Sequence, residues 1–279
     1  MDLPQDQILL NGERLSLVCH GAVATARLFN PPMGCMDAST EDELMAVLDI
    51  VDATPHIRVL VFTGRDAGVF VRHYDVKLLE QRGRQMALRG LRFSLDRPVP
   101  EAPFHRCLAR IESSPCIFIA AINGSCMGGG YELALACDLR YAQQGDYRIG
   151  LPEVNIGLLP GAGGTQKLGR LMGSARALEA LLLGRTFSPV EAAQQGLVHD
   201  CRADALMHAQ AVARELAGKV PAAVRHIKYL VRCADTADRV DLGAALAAER
   251  TLFCDLMVNE ESLQRMAQMN AGEREISDR

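Results

Sequence analysis

The chain has 279 residues, 49% of them apolar, enough for one large domain with a sizeable core. A formal net charge of −4 supplies no global field for nucleic acid or an anionic membrane, so any anionic ligand has to be held by local groups. Met1 to Asp6 lack a basic start followed by an apolar core, and no apolar run approaches the roughly 18 residues needed to cross a bilayer, so the reading is a soluble, unsecreted, cytoplasmic protein.

Nine cysteines, scattered from Cys19 to Cys254 with no C-x-x-C pair, fit neither a disulfide framework nor a zinc site and read mostly as small buried hydrophobes. Residues 13 to 29 alternate around His20-Gly21 as a hairpin. Thr40-Glu41-Asp42-Glu43 fits a capping box, and Leu44, Val47, Leu48 and Val51 follow at helical spacing, predicting a helix over 41–53. Ile57 to Thr63 reads as a buried strand, and so does Cys116 to Ile122. This βα alternation favours parallel pairing, so the first two-thirds is α/β.

The second strand runs into Asn123-Gly124-Ser125-Cys126-Met127-Gly128-Gly129-Gly130-Tyr131-Glu132-Leu133. Three glycines ahead of a helix let backbone N–H groups approach a ligand, and the unpaired donors of the first turn would stabilise an oxygen gaining negative charge. Glu132 sits on that turn, an arrangement suited to enolate chemistry beside a carbonyl. The plain alternative is a glycine turn chosen for close helix–strand packing, with Glu132 a solvated first-turn residue. A second glycine turn, Gly161-Ala162-Gly163-Gly164-Thr165, follows Leu151-Pro152-Glu153. Two carboxyls in one pocket could divide acid and base roles, because desolvation and repulsion raise the proton affinity of one or both. By default, from the residues alone, Glu153 reads as a loop residue bonded to backbone.

Nucleotide motifs fail, since Gln166 stands where a Walker or dinucleotide pattern needs Gly or Ala. Cys126 does occupy the centre of a nucleophile-elbow spacing, with His199-Asp200 and His226 as conceivable partners, though a core cysteine is the favoured reading. After Gly157 the chain turns helical: 164–172, 175–183, 189–195, 203–216, 222–233 and 242–257, with a short strand at 197–199, helical character extending to Met269 and a polar tail from Glu273.

Ala120-Ala121-Ile122-Asn123-Gly124, Gly128-Gly129-Gly130-Tyr131-Glu132-Leu133, Ala136-Cys137-Asp138, Pro152-Glu153, the run Gly157 to Gln166 and Leu168-Gly169-Arg170 closely resemble the enoyl-CoA hydratase/isomerase (crotonase) family. The resemblance implies a spiral of ββα units over residues 1–200, holding an acyl-CoA site. It also implies a helical C-terminal region, 201–279, that drives trimer formation, covers part of the site and commonly builds a hexamer from two trimers. It further implies two oxyanion-hole amides, those of Gly129 and of Tyr74, the residue ahead of Asp75-Val76-Lys77. By the same analogy Glu132 and Glu153 position and deprotonate a water that adds at Cβ, with Glu153 supplying the proton to Cα. Lys77 falls near the CoA phosphates, although a solvated lysine is an equal reading, and the backbone at Cys35-Met36 borders the adenine end. Coenzyme A arrives as part of the substrate, and no other cofactor or metal is implied.

Three departures stand out. Tyr74 occupies a position usually held by Ala or Gly, so its ring can narrow the acyl pocket or its hydroxyl can touch substrate. The stretch from Lys77 to Pro115 is longer than the family pattern and carries Arg82, Arg84, Arg89, Arg92 and Arg97; a solvated helix face is the favoured reading, and a lid or a carboxylate-binding arginine would imply a different acyl group. The chain's end also lacks the basic and aromatic residues that often complete a neighbour's CoA site. The expected activity is trans-2-enoyl-CoA hydration, with double-bond isomerisation as the runner-up and a catalytically silent CoA-binding scaffold as the rival from another class.

Overall fold

The computed structural model describes residues 6–236, 242–257, 259–271 and 273. The expected tail from Glu273 lies almost wholly outside them. Strands β1 (Gln7–Asn11), β2 (Leu15–His20) and β3 (Val23–Leu28) form an antiparallel meander. The expected hairpin is β2–β3, turned at Gly21 with φ +61°; β1 is an additional edge strand.

Helix α1 (Ala38–Ala53) starts ahead of the expected residue 41 because its cap is Asp37. The Asp37 carboxylate accepts from Thr40 N at 2.8 Å and is held by Arg14 at 3.1 Å. Glu43, expected to close a box on Thr40, instead accepts the backbone N–H groups of Glu13, Arg14 and Leu15 and ties α1 to the start of β2.

The chain then repeats one unit: a long-sheet strand, a short strand in a second sheet, then a helical segment. The first is β4 (Val59–Gly64), β5 (Gly68–Val71) and α2 (Val76–Leu88), followed by α3 (Pro103–Ser113). The second is β6 (Ile117–Ile122), β7 (Gly124–Met127) and α4 (Gly129–Ala136). The third is β8 (Leu139–Gln143), β9 (Ile149–Gly150) and a 3-10 turn at Glu153–Ile156. The passage before the glycine triple is therefore two strands rather than one strand and a turn, since β7 leaves the long sheet and pairs in parallel with β5 and β9.

There follow α5 (Gly164–Met172), α6 (Ser174–Leu182), β10 (Thr186–Phe187), α7 (Pro189–Gln194) and β11 (Asp200–Arg202). Helices α8 (Ala205–Ala217), α9 (Pro221–Thr236), α10 (Leu242–Met257) and α11 (Glu260–Asn270) complete the chain. The strand expected at 197–199 begins at Asp200, because Leu197 and Val198 are buried in the approach to it, where Leu197 O accepts the Tyr131 hydroxyl.

The long sheet runs β1-β2-β3-β4-β6-β8-β11, parallel from β3 onward; the short one runs β10-β9-β7-β5. Alternation along β4 and β6 divides two cores. Leu60, Phe62, Phe118 and Ala120 face the larger core, while Val59, Val61, Ile117 and Ile119 face α8, whose Ala205, Ala209 and Ala213 recur every fourth residue and let the helix lie close. Burial on both faces explains the continuous apolar runs of these strands. Helix α9 is fastened by Lys228, whose Nζ donates to Asp138 Oδ2 at 2.9 Å and to the carbonyls of Ile111 and Cys116. Among the described residues no helix is long and apolar enough to cross a membrane.

Candidate active site

The glycine triple separates into three demands. Gly128 has φ +52°, a left-handed conformation, and caps α4. Gly130 packs against β5, where a Cβ would meet Val71 O at 2.2 Å. At Gly129 a Cβ would stand 3.2 Å from Met36 Cε, 3.6 Å from Tyr74 Cβ and 3.8 Å from Phe104 Cε1, in a small space walled by three side chains. As the first residue of α4, Gly129 has an N–H beyond the helix's own acceptors. Among the described residues, neither this N–H nor that of Tyr74 donates to a backbone carbonyl.

Tyr74 is held next to that space by its neighbours: Met36 N donates to His73 O and Asp75 N donates to Met36 O, both at 2.8 Å, pairing residues 36 and 74 as a parallel bridge. Its ring is half-buried. The Arg82 guanidinium donates to the hydroxyl at 3.3 Å, and the buried Glu41 carboxyl of α1 faces the same hydroxyl. Burial raises the proton affinity of Glu41, with the Tyr74 hydroxyl opposing it.

Glu132, 3% exposed on the first turn of α4, is not a solvated residue. Its Oε1 accepts Ala162 N at 2.6 Å and Gly164 N at 3.0 Å, so the second glycine turn serves this carboxyl. Burial raises its pKa, while those two amides and the nearby Lys167 ammonium, itself paired with Glu112 at 2.6 Å, pull it back down.

Glu153 opens the 3-10 turn across from Gly128, whose missing Cβ would stand 3.2 Å from Glu153 Oε1. Its Oε2 is buried with no partner among the described residues. Burial pushes this carboxyl up to about 7; its own backbone N–H works against the shift and the charge of Glu132 adds to it. The two acids are thus differentiated. One oxygen of Glu132 is locked by two amides, whereas Glu153 keeps an oxygen unsatisfied at a pKa suited to proton transfer near neutrality.

Of the residues expected at the CoA moiety, Cys35 and Met36 are buried and Lys77 is exposed. Met36 is fully buried, with its N–H and C=O both bonded to residues 73–75, and its side chain walls the Gly129 space. Cys35 is also buried, its sulfur 3.7 Å from His73 Nδ1, and its carbonyl accepts from Asn30 Nδ2. Lys77 is exposed on the first turn of α2, whose cap Asp75 takes its N–H. Cys126 is fully buried, and burial drives its thiol well above the usual range. Its conceivable partners are engaged elsewhere: His199 Nδ1 accepts Arg140 N, and His226 pairs with Asp255, so no nucleophile elbow forms. Among the described residues no group of three or more His, Cys, Asp or Glu side chains is positioned to hold a metal ion.

Sequence reading missed Glu41 and Arg82 at Tyr74, and His105, whose Nε2 lies 2.8 Å from Gly161 O. Only His105 carried a local signal, two residues after Pro103 at a helix start that lacks a Ser, Thr, Asp or Asn cap.

The model of the enoyl-CoA hydratase/isomerase family matches residues 19–274. A probable enoyl-CoA hydratase of Bacillus subtilis (strain 168) is 34% identical over 221 residues, which cover 74% of this chain and 77% of that protein. The fatty acid oxidation complex subunit alpha of Shewanella halifaxensis is 34% identical over 214 residues, 75% of this chain but 28% of that larger subunit. Among solved structures, an enoyl-CoA hydratase of Geobacillus kaustophilus HTA426 superposes with a TM-score of 0.84 at 28% identity, covering 97% of this chain and 98% of that one. DspI of Pseudomonas aeruginosa superposes with a TM-score of 0.76 at 30% identity over 89% of this chain and 97% of that one.

Proposed function

The chain belongs to the enoyl-CoA hydratase/isomerase family, and on that premise we propose that it adds water reversibly, in the syn sense, across the double bond of a trans-2-enoyl-CoA thioester. The observation that carries this reading is the unequal pair of acids: Glu132 clasped by Ala162 N and Gly164 N, and Glu153 with one buried oxygen lacking a partner among the described residues. A lone buried acceptor beside a second carboxyl suits a water held between them.

In the proposed reaction the thioester oxygen accepts the N–H groups of Tyr74 and Gly129 and gains charge as the enolate forms; one such donor typically contributes about 3 kcal/mol to the transition state. The fixed carboxylate of Glu132 orients the water. Glu153, protonated near neutral pH because of its burial, gives its proton to Cα and regains one from the water as the oxygen bonds to Cβ. Protons and charge balance, so coenzyme A enters and leaves as part of the thioester with no further cofactor. Assembly as a homotrimer or a hexamer of two trimers belongs to the same proposal and is read by light scattering.

The test is loss of enoyl absorbance with crotonyl-CoA and longer 2-enoyl-CoA thioesters. Separate Glu132→Gln and Glu153→Gln variants each lower hydration by roughly 10²- to 10⁴-fold if both acids share the proton work. An isomerase tolerates one of the two, and a scaffold protein binds CoA thioesters without turning any over.

A further inference from the structure

His105 lies outside the residues assigned to the reaction, yet its ring joins two parts of the site. Helix α3 starts at Pro103 with Ala102 as its cap, a residue that has no capping side chain. His105 supplies the missing acceptor from inside the helix, its Nδ1 taking the Ala102 N–H at 3.2 Å. That bond fixes the tautomer: Nδ1 is unprotonated, so the ring proton sits on Nε2 and is donated to Gly161 O at 2.8 Å.

Gly161 O and Ala162 N belong to one peptide group. Its carbonyl accepts from His105 on one side, and its N–H donates to Glu132 Oε1 at 2.6 Å on the other. Imidazole N–H, peptide and carboxylate therefore form one hydrogen-bonded chain, in which each bond polarises the next. The peptide follows a residue whose Cβ position meets nothing within 4 Å, so packing on Gly161 does not hold its orientation. Rotation of this peptide would break both bonds together. Glu41 on α1 and Glu132 on α4 are the carboxyls that face the ring.

We infer that His105 is a positioning residue for Glu132: it holds the Gly161–Ala162 peptide so that the Ala162 N–H stays aimed at the carboxylate. The inference rests on the reading of Glu132 as a participant in hydration, and substitutions can part the two roles of the ring. His105→Asn keeps an acceptor where Nδ1 stands, preserving the helix cap, but cannot reach Gly161. His105→Gln offers an N–H where Nε2 stands and gives up the cap.

If the tether positions Glu132, His105→Asn lowers kcat about tenfold to hundredfold with little change in KM. It also moves the acidic limb of the kcat profile to higher pH, as Glu132 loses the Ala162 amide that favours its charged form, and His105→Gln recovers most of the rate. Equal rates in the two variants, or a loss in His105→Gln alone that tracks a lowered thermal midpoint, would overturn the inference. Hydrogen exchange at the Ala162 and Gly164 amides is read in parallel and does not depend on any activity. Faster exchange in His105→Asn than in His105→Gln supports the tether even if no enoyl thioester is hydrated, and equal exchange removes it. In the unsubstituted protein, nitrogen NMR showing a proton on Nδ1 would also overturn it.

Discussion

The carboxyl of Glu153 lies against the bare Cα of Gly128, where a Cβ would stand 3.2 Å from Glu153 Oε1. Alanine at 128 therefore meets two penalties. The left-handed φ of +52° costs a side chain about 1–2 kcal/mol, and the methyl pushes on the carboxyl proposed to move the proton. Gly128→Ala is expected to lower both the thermal midpoint and the hydration rate.

The next two glycines respond differently. At Gly129 the nearest obstacle is the flexible end of Met36, so alanine is accommodated at small cost to stability, but its methyl enters the space beside Tyr74. A loss of about 10²-fold in kcat, of the order seen when an oxyanion donor is removed, is expected with little change in melting. At Gly130 the obstacle is the Val71 carbonyl at 2.2 Å, which cannot yield without shifting β5. Gly130→Ala should therefore give mostly insoluble protein. A series in which all three alanine variants lose activity strictly in step with their melting would contradict the division of labour.

Glu153, pushed up to about 7 by burial and by the charge of Glu132, ties the rate to pH with a definite sign. The proposed step needs its proton, so kcat/KM falls as pH rises through an apparent pKa near 7 that belongs to the coupled pair. Glu153→Gln abolishes that limb along with most of the rate. A profile flat from pH 6 to about pH 9 would remove Glu153 as the proton donor.

The same carboxyl leaves a mark on stability. Because its folded pKa lies above the ordinary 4.5, the native state binds more protons than the unfolded chain between 4.5 and about 7, and stability falls as pH rises through that window. Below it both states are protonated and the effect vanishes. Glu153→Gln is thus expected to melt a few degrees above the parent at about pH 8 and level with it near pH 4, by differential scanning calorimetry.

These consequences trace back to features of unequal legibility. The apolar runs of β4 and β6 and the bounds of α5 could be read directly, because burial on both faces and 3.6-residue periodicity are local properties. Strand β7 was not legible: Gly124 to Met127 carry no apolar run and become a strand only by pairing with β5 and β9. The site divides in the same way. Glycine spacing marks the Gly128–Gly130 turn, but the anchors of Glu132 lie 30 and 32 residues further on, and His105 reaches Gly161 across 56 residues. Contacts at such separation leave no periodic trace in the chain.

Tyr74 offers a test of acyl selectivity. Its Cβ stands beside the Gly129 space, and its hydroxyl is held by the Arg82 bond at 3.3 Å and by the Glu41 carboxyl. Tyr74→Phe keeps the backbone N–H and should retain hydration, while leaving the buried Glu41 without its hydroxyl at a cost of about 1–3 kcal/mol in urea unfolding. Tyr74→Ala removes the ring and is expected to raise kcat/KM for longer or branched enoyl thioesters relative to crotonyl-CoA. An unchanged chain-length preference would show that only the amide of residue 74 meets the substrate.

Far from the acids, Lys228 tests how the helical third is held. Its Nζ, on a side chain 6% exposed, reaches Asp138 Oδ2 at 2.9 Å, while Arg232 takes Oδ1 at 3.0 Å and Phe118 N donates to Oδ2. Lys228→Met deletes one partner of a nearly buried pair and leaves the Ile111 and Cys116 carbonyls without their donor. A loss of about 3 kcal/mol is expected, because Asp138 keeps its desolvation cost with Arg232 but without the ammonium, and two carbonyls lose their donor. Asp138→Asn added to it should restore part of that loss, since the surviving carboxylate is the source of the penalty. If the double variant is no more stable than Lys228→Met alone, the lysine acts through its three hydrogen bonds and its packing rather than through charge.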